Sequence, residues 1–354
     1  MAQPLTAPTE AAVLEALRAV RDPDLHQDIV ALGFVKDLRI CGDQVAFQIE
    51  LTTPACPVKD LMRSQAERAV RAVPGVGNVA IDMTARVTAS KPVLGDKGTI
   101  PGVKNVIAVS SGKGGVGKST VAVNLACALQ RTGARVGILD ADVYGPNVPL
   151  MLGVSGQPQV RDKKIIPFER HGLQIMSMAL LIAEDQPVIW RGPMLHSAVR
   201  QFLFDVGWHD LDYLVVDLPP GTGDAQLSLS QQAHLMGAII VTTPQDVSVL
   251  DVRKAIRMFQ TVNVPILGIV ENMAWFTPPG HTERYHLFGQ GGGEKIQREF
   301  GVPLLGQIPI EIAVREGGDH GNPIVVAHPE SASARALTEI AGKVAQRVSI
   351  LNAE

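Results

Sequence analysis

Apolar positions in the first ninety residues change period more than once. Val13, Leu14, Leu17 and Val20 recur at helical spacing and predict a helix ending near Asp22-Pro23. Residues 35–40 and 45–51 read as strands on either side of Gly42-Asp43, a two-residue hairpin signal, and residues 79–83 predict a third strand. Between them Val58, Leu61, Met62, Ala66, Ala69, Val70 and Val73 form a helical stripe that opens at Pro57 and stops at Pro74-Gly75. These elements predict a small α/β domain over residues 1–90. Residues 91–103 hold glycine and proline with little apolar period, as a linker does. From 104 to 354, short apolar runs at 106–109, 135–139, 213–216, 238–241, 266–270 and 304–305 alternate with helical stripes. That alternation predicts a doubly wound, mostly parallel sheet with helices on both faces.

Composition changes this picture little. The 354 residues exceed one comfortable core, and 46% hydrophobic against 19% charged residues excludes a largely disordered chain. A net charge of -3 supplies no general attraction to nucleic acid or anionic membrane, so neither is expected as a partner. The N-terminus lacks a basic segment followed by an apolar run, and the three cysteines, Cys41, Cys56 and Cys127, form no disulfide framework. Both features predict a cytoplasmic protein.

The chemistry concentrates after the run at 106–109. Gly112, Lys113, Gly114, Gly115, Val116, Gly117, Lys118 and Ser119 fit the P-loop spacing, with a strand before and the helical stripe Val121, Leu125, Ala128, Leu129 behind. Glycines let backbone N–H groups turn inward around a phosphate, and the helix N-terminus adds a favourable dipole. Lys118 is placed to neutralise the β- and γ-phosphates of ATP, Ser119 to hold Mg2+, and Thr120 to lie near the α-phosphate. Asp217 ends the strand Leu214-Val215-Val216, where a Walker B aspartate meets the magnesium shell. Asp140 and Asp142 end another strand, and either carboxylate suits the metal or the attacking water. Pro219-Pro220-Gly221-Thr222-Gly223-Asp224 follows Asp217 and suits a loop that senses the γ-phosphate.

The second, early lysine, Lys113, resembles the deviant Walker A motif of the MinD, ParA, ArsA and nitrogenase iron-protein group. The resemblance implies that Lys113 reaches phosphates bound by a partner subunit, and so a homodimer. Further motifs narrow the likeness to the Mrp/ApbC iron-sulfur carriers: Asp140-Ala-Asp-Val-Tyr-Gly-Pro-Asn147, Trp190-Arg-Gly-Pro-Met194, Asp212 to Asp224, Thr242-Thr-Pro-Gln-Asp246, Glu271-Asn-Met273 and Phe288-Gly-Gln-Gly-Gly292. The first unit resembles the small iron-sulfur assembly domain fused to many of these carriers and also seen in SufT-type proteins, through Asp22-Pro23-Asp24, Leu32-Gly33 and the run from Leu51 to Pro57. The likeness implies slow, dimer-dependent ATP hydrolysis and transfer of an iron-sulfur cluster to apoprotein clients. It also implies that Asp142 helps position water and that Asn272 contacts adenine.

In most such carriers a Cys-x-x-Cys pair follows the Glu-Asn-Met segment and two pairs bind one cluster across the dimer. Here residues 274–281 read Ala-Trp-Phe-Thr-Pro-Pro-Gly-His, and no cysteine follows Cys127. Cys56, just before the helix expected from Pro57, is the remaining candidate cluster ligand, since helix N-termini lower thiol pKa values; the other reading is a small buried side chain. His281 and His286 lack a nearby third ligand, and Trp275 and Phe276 suit packing under the loop better than a client patch. Two rival functions stand beside cluster carriage. One is a ParA/MinD-like positioning ATPase, which needs a basic or membrane-binding surface; the stripe Leu337, Ile340, Val344 and Val348 has only Lys343 and Arg347 beside it. The other is a metabolic kinase, for which no acceptor site is legible.

Overall fold

The computed structural model describes residues 7–90, 98–142, 145–181 and 192–353. Linker residues 91–97, and Val143, Tyr144, Trp190 and Arg191 of the quoted motifs, lie outside the described residues, as do the side chains of 192–195, 224 and 225. The chain divides into two units, Met1–Thr88 with Ala345–Glu354, and Ala89–Val344.

In the first unit the helix Glu10–Leu17 starts at Thr9, whose side chain accepts the Ala12 N–H. Strands β1 (Val35–Cys41) and β2 (Gln44–Leu51) form the hairpin about Gly42-Asp43, and β3 (Asn78–Ala85) pairs parallel with β2 after the helix Lys59–Arg71. One face of each element closes on Val13, Leu17, Phe47, Ile49, Met62, Ala66 and Val70. Residues 345–354, which the sequence assigns to the ATPase domain, group with this unit instead. Within it the Gln346 amide donates to Asp24 and the Ser349 hydroxyl donates to Thr52 at 2.6 Å.

The second unit contains β4 (Val103–Ser111), β5 (Val136–Asp140), β6 (Val160–Arg161), β7 (Lys164–Ile165), β8 (Phe168–Arg170), β9 (Leu173–Ser177), β10 (Leu211–Asp217), β11 (Gly237–Thr242), β12 (Ile266–Glu271) and β13 (Leu304–Gln307). Its main sheet has the order β13-β12-β11-β4-β10-β5-β9-β8, parallel throughout except that β8 runs antiparallel to β9. The six apolar runs become β4, β5 and β10 to β13. Strands β6 to β9 escape the pattern because they are two to five residues long and carry Arg161, Lys164, Glu169 and Arg170. Every residue of β5, β10 and β11 is buried, as covering of both sheet faces demands. Later strands lie on both sides of β4, so the loops after β4, β5 and β10 open a crevice at their carboxyl ends. Registers align Asp217 with Asp140 and with Val109, which sets the two carboxylates level beside the P-loop.

Candidate nucleotide site

The P-loop leaves β4 and enters the helix Lys118–Arg131. Gly115 and Gly117 adopt φ of +76° and +80°, which glycine takes without strain. At Gly112 a Cβ would stand 2.4 Å from the backbone of Asp251, so glycine here lets the helix Asp246–Thr261 approach the loop. Residues Lys113, Gly114, Gly115, Gly117, Lys118, Ser119 and Thr120 line a cavity of about 700 Å3, a volume typical of small-molecule sites. Asp142, Pro220 and Asn272 line it too. Gly112 and Val116 stand behind the wall, where they shape the loop.

Lys118 is 6% exposed, and its Nζ lies 2.6 Å from Asp217 Oδ1 and 3.5 Å from Asp142 Oδ2. It also donates to Ser119 Oγ at 3.2 Å. The structure therefore brings Lys118, Ser119, Asp142 and Asp217 together. Asp217 is fully buried, and its Oδ2 accepts no hydrogen bond from the described residues. An anionic oxygen left in that condition beside a serine hydroxyl fits a hard divalent cation, which takes oxygen ligands. Asp142 accepts the Gly145 N–H at 3.2 Å.

Asp140 has a different task. Its Oδ1 accepts the Asp142 N–H at 3.1 Å, and its Oδ2 accepts the Val148 N–H at 3.2 Å and the Ser177 hydroxyl at 3.0 Å. It thus fastens both ends of the segment carrying Asp142 to the end of β9. Burial, with the neighbouring charge of Asp217, pushes its carboxyl up to about 8. Of the two strand-end carboxylates, Asp142 is the one that faces Lys118.

Lys113 donates from Nζ to Gln245 Oε1 at 3.2 Å, within its own subunit. Asn272 is buried, and its Nδ2 donates to the Val116 carbonyl at 2.9 Å, so this side chain fixes the P-loop as well as lining the cavity. Gln245 and Ser177 were not singled out by sequence. Gln245 lies in the quoted Thr-Thr-Pro-Gln-Asp motif, whereas Ser177 ends a strand the pattern did not reveal.

The thiol of Cys56 departs from expectation. The helix begins at Lys59, and burial pushes the thiol up, with Asp22 and Asp24 adding to the rise against the Val58 N–H and Lys59. Desolvation thus outweighs the helix terminus. Cys41 is exposed, and the buried Cys127 is pushed up to about 12 by burial. Residues 274–286 fold back on themselves: Phe276 and Tyr285 exchange backbone hydrogen bonds at 2.8 Å, and Arg284 lies 4.4 Å above the Trp275 ring. His286 Nδ1 bonds the Ala274 carbonyl, and His281 is exposed. Among the described residues no group of three or more His, Cys, Asp or Glu side chains is placed to hold a metal ion.

A glycine-rich loop between a central parallel strand and a helix, with a buried aspartate ending the adjacent strand, defines a P-loop NTPase of MinD/ParA-like fold. The chain matches the NUBPL iron-transfer P-loop NTPase family over residues 102–345 and belongs to it; residues 10–81 match an iron-sulfur cluster assembly protein family. It is 55% identical over 348 residues to an iron-sulfur cluster carrier protein of Synechocystis sp., covering 97% of this chain and 98% of that one. A solved nucleotide-binding protein of Archaeoglobus fulgidus in complex with ADP is 40% identical, with a TM-score of 0.58 over 66% of this chain and 91% of that one. The cell division ATPase MinD of Pyrococcus furiosus is 27% identical, with a TM-score of 0.52 over 68% of this chain and 98% of its own.

Proposed function

We propose that this chain binds and slowly hydrolyses ATP as a homodimer in the cytoplasm and delivers iron-sulfur clusters, its cargo, to apoprotein clients. The observation that carries the ATPase reading is Lys118, held against Asp217 and Asp142 at the wall of the nucleotide cavity. Lys118 moves its charge to the β- and γ-phosphates, Asp142 orients water, and the P-loop N–H groups with Thr120 hold the remaining phosphate oxygens. Ser119 and Asp217 would hold magnesium, which would neutralise charge on the phosphates. Asn272 keeps Gly117 and Val116 in place beside the base. Lys113 serves the partner's nucleotide. The exposed Val247 and Leu250, on the helix packed against Gly112, support a second copy at this face.

For the cargo, family membership and the carrier relative support delivery, while the site of attachment differs from the expected Cys-x-x-Cys. Cys56 is the ligand this chain offers. Two copies supply two thiolates, and a client's cysteines complete the shell. Anaerobic reconstitution of the protein and of Cys56→Ser, with iron and sulfide analysis and transfer to an apo-aconitase-type client, tests this. Absence of any bound cluster, with the variant indistinguishable from wild type, would reject carriage. Nucleotide-dependent cosedimentation of such cluster-free protein with liposomes or DNA would favour a positioning ATPase instead.

A further inference from the structure

Residues 219–223 join the end of β10 to the helix Asp224–Gln232, and Pro220 lies at the nucleotide cavity. Gln226, in the first turn of that helix, is 1% exposed and folds back over the loop. Its Nε2 donates to the Pro219 carbonyl at 2.7 Å and the Gly221 carbonyl at 2.6 Å. Both partners only accept, so the amide must present its nitrogen to them, and this leaves Oε1 buried with no donor among the described residues.

Gly221 is held from the other side as well. Its N–H donates to the Ser111 carbonyl at 2.9 Å, at the end of β4 where the P-loop begins, and its φ is +91°. One loop residue is thus clamped through both of its backbone polar groups. A glutamine three residues into a helix ordinarily accepts from the backbone just before it. Gln226 donates instead, and its orphaned Oε1 raises the energy of the arrangement. A loop conformation that gave Oε1 a donor, or returned it to water, would recover part of the cost of losing the two carbonyl contacts. This is the condition for a two-state element.

We propose that Gln226 is a positioning residue that latches residues 219–223 in the nucleotide-free conformation, with the Gly221 N–H committed to Ser111. A nucleotide with a γ-phosphate must open the latch to gain that N–H, whereas one ending at the β-phosphate leaves it closed. A ligand moves such an equilibrium only by its differential affinity for the two states, so Gln226 sets how strongly ATP is preferred to ADP. The inference rests on the P-loop reading above.

Gln226→Met keeps the length and loses both donors; Gln226→Glu keeps the acceptors alone. Hydrogen exchange of the peptide containing Gly221, in nucleotide-free protein, is expected to accelerate about tenfold in both, the loss of about one net hydrogen bond. Affinity for a non-hydrolysable ATP analogue is expected to tighten by a similar factor while affinity for ADP stays unchanged. If neither variant folds, Gln226→Asn, which keeps the amide on a shorter arm, is expected to show both changes in smaller measure. Unchanged exchange overturns the latch. Faster exchange with equal shifts for both nucleotides also overturns it, because the side chain then only supports the fold. A failure of the P-loop reading is distinguishable, since wild-type protein would bind neither nucleotide.

Discussion

At Lys118 a buried ammonium meets the buried Asp217 and Asp142 carboxylates. Lys118→Ala is expected to abolish binding of a fluorescent ATP analogue. It should also destabilise the nucleotide-free protein by about 3 kcal/mol, because a buried carboxylate loses its partner. Titration and chemical denaturation read the two effects, and retained ATP binding would reject the assignment. The cysteines offer a second check. Iodoacetamide at neutral pH is expected to label exposed Cys41 first, Cys56 more slowly because burial raises its thiol, and Cys127 only on unfolding. Mass spectrometry of timed samples gives the order; a Cys56 faster than Cys41 would restore the activated-thiol reading. Lys118 and Ser119 are legible in sequence because a phosphate loop needs fixed spacing along the chain. Gln226 and Ser177 are not, since their partners depend on where distant strands end.

Between elements, Asp212 at the start of β10 fastens three strands at their amino ends. It accepts from Lys104 of β4 at 2.8 Å and from the Arg135 N–H before β5 at 2.9 Å. Burial raises its carboxyl, but the Arg135 N–H, Lys104 and the Arg135 guanidinium together hold it below the usual range. A depressed folded pKa gives stability that is full above the ordinary carboxylate pKa of about 3.9 and is lost as pH falls through the lower, folded value. Asp212→Asn is expected to lower stability by about 2 kcal/mol at neutral pH. The deficit should shrink in acid, where the wild-type carboxyl is also neutral. Thermal melts across pH decide it, and a constant deficit would assign the effect to packing. The strands that Asp212 joins were readable because burial on both faces makes them continuous apolar runs. The edge strand β8 was not readable, since an edge tolerates charge and needs few residues, and β9 beside it is a run of only five residues.

For the molecule as a whole, the early lysine predicts an activity that depends on assembly. Lys113→Ala is expected to leave ATP affinity near that of the wild type while turnover falls by about a hundredfold, the loss of one transition-state cation. Steady-state assays and sedimentation with a non-hydrolysable analogue separate the effects, and full turnover by monomeric protein would refute the shared site. The fold class was legible because period and punctuation agree over long stretches. Residues 345–354 were misassigned because a helical stripe shows that a face is buried but not which core buries it.

The pairing of Lys118 with Asp217 also shapes what the site refuses. In the empty P-loop the charge of Lys118 is already matched from within, while Lys113 meets only the neutral amide of Gln245. Entry is an exchange of partners: the incoming group must take the ammonium, and something must take over the abandoned carboxylate. Inorganic phosphate or sulfate answers only the first demand. A cation-bearing nucleotide answers both, so a site built this way favours such a nucleotide over simple anions by charge balance before any base is recognised.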